Sequence, residues 1–153
     1  MCADIVTPEK RSRLMAGIRG KDTAVELAVR RQLHALGLRF RLHRRDLPGR
    51  PDIVLPRFRV AVFVHGCFWH RHHGCRYAAT PRTRADFWQR KFDANVRRDA
   101  AAVQGLIQAG WRVAILWECS ILAGGLGSED LARFRGWLED VSVSSRPAVF
   151  EIP

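Results

Sequence analysis

The sequence has no run of about 18 or more apolar residues, so no segment has the length of a membrane-spanning helix. Its first residues, MCADIVTPEKRSRLM, lack the continuous apolar stretch of a secretory signal. The expectation is a cytoplasmic chain with no membrane partner. No internal repeat or low-complexity tract appears. Lysine is scarce: only Lys10, Lys21 and Lys91, against 23 arginines. Cysteine numbers four, and in a cytosolic chain metal binding or catalysis is a better default for it than a disulfide framework. Cys2 falls in a terminus expected to fray and is set aside.

What is present points to one folded domain. The chain has 153 residues, 47% of them hydrophobic and 27% charged. A chain of about 150 residues buries roughly 68–70% of its unfolded surface and needs no staples. Lys and Arg total 26 against 15 acids, a net charge of +11. The balance is uneven. Residues 113–153 hold only Arg133, Arg135 and Arg146 against six acids, leaving 23 basic and 9 acidic residues in the first 112. A basic surface of that size is the electrostatic footprint of a nucleic-acid partner.

Along the chain, Thr7 and Pro8 open a helix expected to run to about Arg19 and stop at Gly20. Thr23 and Glu26 form a capping box for a second helix ending at Gly37. Residues 38–43 alternate apolar and basic side chains, as an edge strand does. A turn at 47–51 precedes a short strand at 52–55, and the unbroken apolar run 60–64 reads as a central strand. Residues 65–82 form an irregular loop. Thr83 caps a long helix to about residue 109, residues 111–117 form another buried strand, and Ser128 caps a last helix at 129–138. Trp111, Trp117 and Trp137 are assigned to the core. This order predicts an α/β fold with a mixed sheet flanked by helices. Residues 122–153 are expected to be peripheral.

Two constellations carry chemistry. In the first, Cys67, His72 and Cys75 have the spacing Cys-x4-His-x2-Cys, and Cys119 follows after a long gap. Three thiolates and one imidazole make a closed structural zinc set. His70 and His73 are rival ligands. In the second, Asp52 starts one strand and His65 ends the next, within a basic chain. An acid that holds Mg²⁺ beside a base that prepares water is the arrangement of magnesium-dependent nucleases. His65 and His70 can each accept a proton near neutrality, although His70 is read equally well as a zinc ligand.

The motifs LPGRPD (47–52), HGCFWHRH (65–72), RTRADFW (82–88), NVRRD (95–99) and GWRVAILWEC (110–119) resemble very short patch repair (Vsr) DNA mismatch endonucleases. RSRLM (11–15) and DTAVE (22–26) fit as well, and the resemblance covers residues 7–121 or so. It implies a restriction-endonuclease-like fold of the PD-(D/E)xK class, in a single endonuclease domain whose first 20 residues form a DNA-contacting helix. It implies a Mg²⁺-dependent enzyme that nicks one strand of double-stranded DNA on the 5′ side of the T in a T:G mismatch left by deaminated 5-methylcytosine. It also implies a monomer, with mismatch-repair proteins as further partners. Asp52 and the main-chain carbonyl of Val64 would hold Mg²⁺; Phe63 and His65 stand where the class usually has its second acid and its lysine. His70 would be the general base, oriented by Asp99, while Glu26 and His65 line the metal-water cluster. Cys67, His72, Cys75 and Cys119 would hold structural Zn²⁺. Phe68, Trp69 and Trp88 would wedge into DNA from the major groove and Met15 from the minor groove, with Lys91 and Asn95 also on DNA. The zinc loop is one residue longer than the family's compact form, which leaves His72 against His73 open; Gly74 can absorb the extra residue.

Two rival functions remain. A restriction-type nuclease on unmodified duplex would need a homodimer for a double-strand cut. A non-enzymatic zinc DNA-binding module is disfavoured by Asp52 in a sheet pocket and by the lack of a helix-borne zinc-finger spacing.

Overall fold

The computed structural model describes residues 7–16, 22–121, 124–140, 142 and 147–153. Five helices (α1 Pro8–Ala16, α2 Ala24–Ala35, α3 Ala85–Gln108, α4 Glu118–Ile121, α5 Ser128–Glu139) surround five strands. The strands are β1 Arg41–Leu42, β2 Ile53–Leu55, β3 Val60–His65, β4 Arg112–Trp117 and β5 Val149–Ile152. They form one sheet in the order β1-β2-β3-β4-β5. The first three make an antiparallel meander, and β3/β4 and β4/β5 are parallel. This is the mixed sheet that the element order predicts. No helix among the described residues is long and apolar enough to cross a membrane.

Every side chain of β3 is buried, as its unbroken apolar run requires. One face of the sheet packs with Val29 and Leu33 of α2 and Phe134 and Trp137 of α5; the other packs Ala61, Phe63 and Val113 against Ala102 and Leu106 of α3. A strand covered on both faces by helices has no use for alternation.

Local chemistry explains the boundaries. The Thr23 hydroxyl accepts from Glu26 N–H, and α2 ends in a paired closure, Gly37 N–H to His34 O and Leu38 N–H to Leu33 O. Gly37 takes a φ of 77° there, the left-handed geometry of a Schellman cap. Leu38 is thereby spent on closing the helix, so the edge strand expected at 38–43 shortens to Arg41–Leu42. The first helix is described to Ala16, and residues 17–19 of the expected helix, with its stop at Gly20, lie outside the described residues. At α3 the capping position falls on Arg84, at φ 56° and with no side-chain capping bond, rather than on Thr83. The Arg84 guanidinium lies over the Phe87 ring instead, 4.5 Å from its centroid. At α5 the cap is Gly127, and Ser128 is already helical. Trp117 and Trp137 are buried as expected, whereas Trp111 is half-buried beneath the guanidinium groups of Arg59 and Arg44.

The larger correction concerns the tail. Residues 149–152 are not peripheral: they form β5, paired with Val113–Leu116, and Ile152 is fully buried. Phe134, Trp137 and Leu138 of α5 complete that side of the core. The cause is long-range: β4 has an edge left unpaired by β3, and β5 covers it as a parallel partner. Ile152→Ala should therefore cost about 2–5 kcal/mol in urea unfolding, whereas a peripheral tail would leave the midpoint unchanged.

Candidate active site and metal centre

The Pro48-Gly49 turn lies directly on α3. A Cβ on Gly49 would meet that of Ala102 at 2.4 Å, and Gly105 gives room for the Pro48 ring. The turn delivers Asp52 to the head of β2, opposite the end of β3. Asp52 Oδ2 accepts the Val64 N–H at 2.8 Å. These residues open into a cavity of about 850 Å³, lined also by Glu26, His65, His70 and Asp99. All six residues assigned to catalysis or to the catalytic metal therefore meet in one place.

The acids there are under electrostatic tension. Burial pushes the Asp52 carboxyl up to about 6, and the nearby charge of Glu26 adds to it; the Val64 N–H pulls the other way. Glu26 is 4% exposed, and its Oε2 accepts from Asp22 N–H at 2.9 Å. The half-buried Asp52 and the buried Glu26 thus bring two carboxylates, hard oxygen groups of the kind that divalent cations favour, to one cavity.

The histidines are arranged differently. His70 Nδ1 lies 2.6 Å from Asp99 Oδ2. A carboxylate can only accept, so Nδ1 carries the proton and Nε2 keeps the free lone pair. His65 stacks on His70 with centroids 3.9 Å apart and planes 3° from parallel. Burial first, and the neighbouring His70 second, push His65 down to about 3. A neutral His65 does not repel a proton arriving on His70.

On the other side of the β3 end, Cys67, His72, Cys75 and Cys119 place one ligand atom each within 4.8 Å of one another. His72 Nδ1 lies 3.6 Å from Cys67 Sγ and 3.3 Å from Cys119 Sγ. Gly74 adopts φ 71°, which lets the His72–Cys75 turn close. His73 is exposed and His70 belongs to the Asp99 pair, so neither rival joins this cluster. Trp117 stacks on His72 at 4.2 Å and fixes the plane of its ring. Burial and the adjoining thiols push Cys67 up to about 12. Ionising that thiol needs a cation, and three sulfurs with one imidazole suit a thiophilic dication.

The residues expected on DNA divide. Phe68 meets Trp69, Trp88 and Phe92 edge-on, at 5.0, 5.5 and 5.1 Å. Trp88 is only 9% exposed, as its place on the buried stripe of α3 dictates. Lys91 Nζ lies 5.2 Å from the Trp69 centroid, and Asn95 Nδ2 donates to Trp69 O at 3.1 Å. Both side chains thus border the cavity beside the aromatic cluster. Met15 is on α1, but its side chain lies outside the described residues.

Several residues at the site have no role assigned from the sequence. Glu118 Oε2 accepts the Cys67 N–H at 3.3 Å. Arg30 bonds Glu26 across one helical turn, an i,i+4 spacing readable from the sequence. Asp22 and His43 join it through positive-φ backbone, which leaves no such signal.

The family model for the DNA mismatch endonuclease Vsr matches residues 3–76. The type II nicking enzyme V.XorIIP of Xanthomonas oryzae is 49% identical over 136 residues, covering 89% of this chain and 97% of that protein. The DNA mismatch endonuclease Vsr of Escherichia coli is 44% identical over 119 residues, covering 78% and 76%. The chain belongs to the Vsr family. The type II nicking enzyme V.NmeAIP of Neisseria meningitidis is 36% identical over 137 residues, 90% of this chain and 97% of that protein. The Vsr match ends at Cys75-Arg76, whereas these relatives extend across most of the chain.

The cluster geometry makes a sharp distinction between neighbouring histidines. His72→Ala should lose the bound thiophilic metal, whereas His73→Ala should retain one ion per chain. Metal analysis of both proteins, purified without chelator, checks this, and the reverse pattern would reassign the ligand.

Proposed function

We propose that this chain nicks one strand of duplex DNA on the 5′ side of the T in a T:G mismatch, using Mg²⁺ for catalysis and Zn²⁺ for structure. Membership of the Vsr family makes it a DNA-cleaving hydrolase with DNA as its partner. The observation that carries the catalytic reading is the half-buried Asp52 opening onto the same cavity as the Asp99-held His70. A five-stranded mixed sheet with helices on both faces suits a restriction-endonuclease-like fold.

Asp52 and the Val64 carbonyl would hold Mg²⁺, with Glu26 and His65 lining its waters. When bound, the ion would neutralise charge developing on the phosphate and make a water easier to ionise. The chain's own work is proton handling and placement. His70 takes the water's proton on Nε2 while Asp99 steadies the resulting imidazolium through Nδ1. Arg and Lys side chains fix the phosphates but are blind to base identity. Cys67, His72, Cys75 and Cys119 form a closed set with no position for substrate, so zinc there would pin the loop that carries His70.

Discrimination would rest on Phe68 and Trp69. They lie between Cys67 and His70, beside the base that activates water. Inserting rings between base steps costs a few kcal/mol of unstacking and less at a mismatch. The alternatives, a restriction-type cut of unmodified duplex or binding without cleavage, separate in one assay. Matched and T:G oligonucleotides are incubated with and without Mg²⁺; single-strand nicks confined to the mismatch with Mg²⁺ are the expected result.

Asp52→Ala should abolish nicking while duplex binding persists. That binding should fall with salt by a log–log slope of about −0.9 per phosphate neutralised. Nicking at the wild-type rate would remove Asp52 from the site. Replacing Phe68 and Trp69 together by Ala should erase the preference for T:G over paired duplex in competition binding at one fixed salt. An unchanged preference would return the rings to loop packing.

A further inference from the structure

We propose that Arg30 is a positioning residue for the reaction: it clamps the Glu26 carboxylate at the wall of the cavity and is itself locked by Asp22 and His43. This rests on the reading above, in which Glu26 lines the metal-water cluster. Arg30 does not line the cavity, so it can act only through Glu26.

The contacts converge on a single nitrogen. Arg30 Nη2 lies 3.2 Å from Glu26 Oε2, 2.8 Å from Asp22 Oδ1 and 3.0 Å from His43 Nε2. His43 Nε2 in turn lies 3.3 Å from Asp22 Oδ1, which closes the ring of groups. Arg30 is 11% exposed and the Glu26 side chain 5%, so the pair is poorly screened. The arrangement draws on three separate segments: α2, the residue before its Thr23 cap, and the end of the edge strand. Asp22 and His43 sit at φ 55° and 48°, left-handed conformations uncommon for residues other than glycine. Strained backbone at two of the four members shows that the surrounding structure holds this arrangement in place.

The consequence falls on Glu26. Both its bonds, from Asp22 N–H and from Arg30, land on Oε2. Oε1 is then the oxygen left for the cavity. Arg30 also supplies a positive charge beside the Glu26 carboxylate. An arginine suits this role because its planar guanidinium fixes the directions of the two Nη2 N–H groups, which go to the carboxylate oxygens Glu26 Oε2 and Asp22 Oδ1, while His43 Nε2 donates to Asp22 Oδ1.

A double-mutant cycle tests the assignment by single-turnover nicking of a T:G duplex across a Mg²⁺ titration. Arg30→Met should lose roughly 10–10²-fold in rate, the scale of a misplaced catalytic group. It should also need more Mg²⁺ for half-maximal rate, while duplex affinity and zinc content stay at wild type. In a Glu26→Gln background the same substitution should cost nothing further. Arg30→Lys keeps the charge but not the fork and should recover part of the rate; the cycle can be run with it if Arg30→Met does not fold. Equal losses in both backgrounds, or a wild-type rate in Arg30→Met, overturn the inference. Wild-type nicking by Glu26→Gln removes the role of Glu26 and this inference with it, while an inactive Asp52→Ala would still uphold the nuclease reading.

Discussion

The parallel ladder between β3 and β4 is the constraint on which the rest depends. Its register pairs Val60 with Arg112 and runs to His65 opposite Trp117. Two residues past each strand end stand Cys67 and Cys119. A ladder in register thus delivers one thiol from each strand to the same point, and the short loop brings His72 and Cys75 to meet them. The same ladder holds Val64 and His65 against Asp52. A slip of one residue would turn every side chain of β3 to the opposite face and break both constellations together. With β3 buried on both faces and β4 nearly so, such a slip would force both core layers to repack.

The cavity trades stability for chemistry. Burial disfavours the charge of Asp52, which the Val64 N–H relieves only partly, while the neighbouring Glu26 carboxylate accepts from the Asp22 N–H and from Arg30. His65 is held neutral, and His70 is given a carboxylate on one nitrogen only. A packed hydrophobic site would be more stable than this collection of polar groups. Conflict between local stability and arrangement is expected where function sets the geometry. A divalent cation bound at Asp52 would turn the repulsion between the two acids into shared attraction.

Legibility in the sequence followed the range of the forces. The apolar run at 60–64 declared a doubly covered strand, and the spacing of Cys67, His72 and Cys75 declared a metal loop, because each depends on near neighbours. Choosing His72 over His73 was not legible, since both lie in one turn and only Trp117, from another strand, selects the ring. β5 was illegible for a related reason. Four residues carrying Glu151 and following a proline-containing segment do not announce a strand; they become one because β4 offers an edge and Trp117 Nε1 donates to the Glu151 carboxylate. Arg84 at the head of α3 and His43 beside Arg30 both take left-handed backbone that no side-chain pattern predicts.

The aromatic cluster sets a further condition on the proposed recognition. Phe68 is already engaged with Trp69, Trp88 and Phe92, and edge-to-face pairs of this kind contribute about 0.5–1.5 kcal/mol each. Entry into DNA therefore exchanges these contacts for contacts with bases, and the DNA must open a step as well. At a fully paired step both costs stand, the second amounting to a few kcal/mol. At a mismatch the second cost falls while the first is unchanged. Under the proposed recognition, self-packing of the rings would thus act as a threshold: it would remove the gain from wedging into ordinary duplex and leave a net gain only where the step is already weak. On this account Trp88 serves selectivity from inside the protein, as the partner that Phe68 must give up.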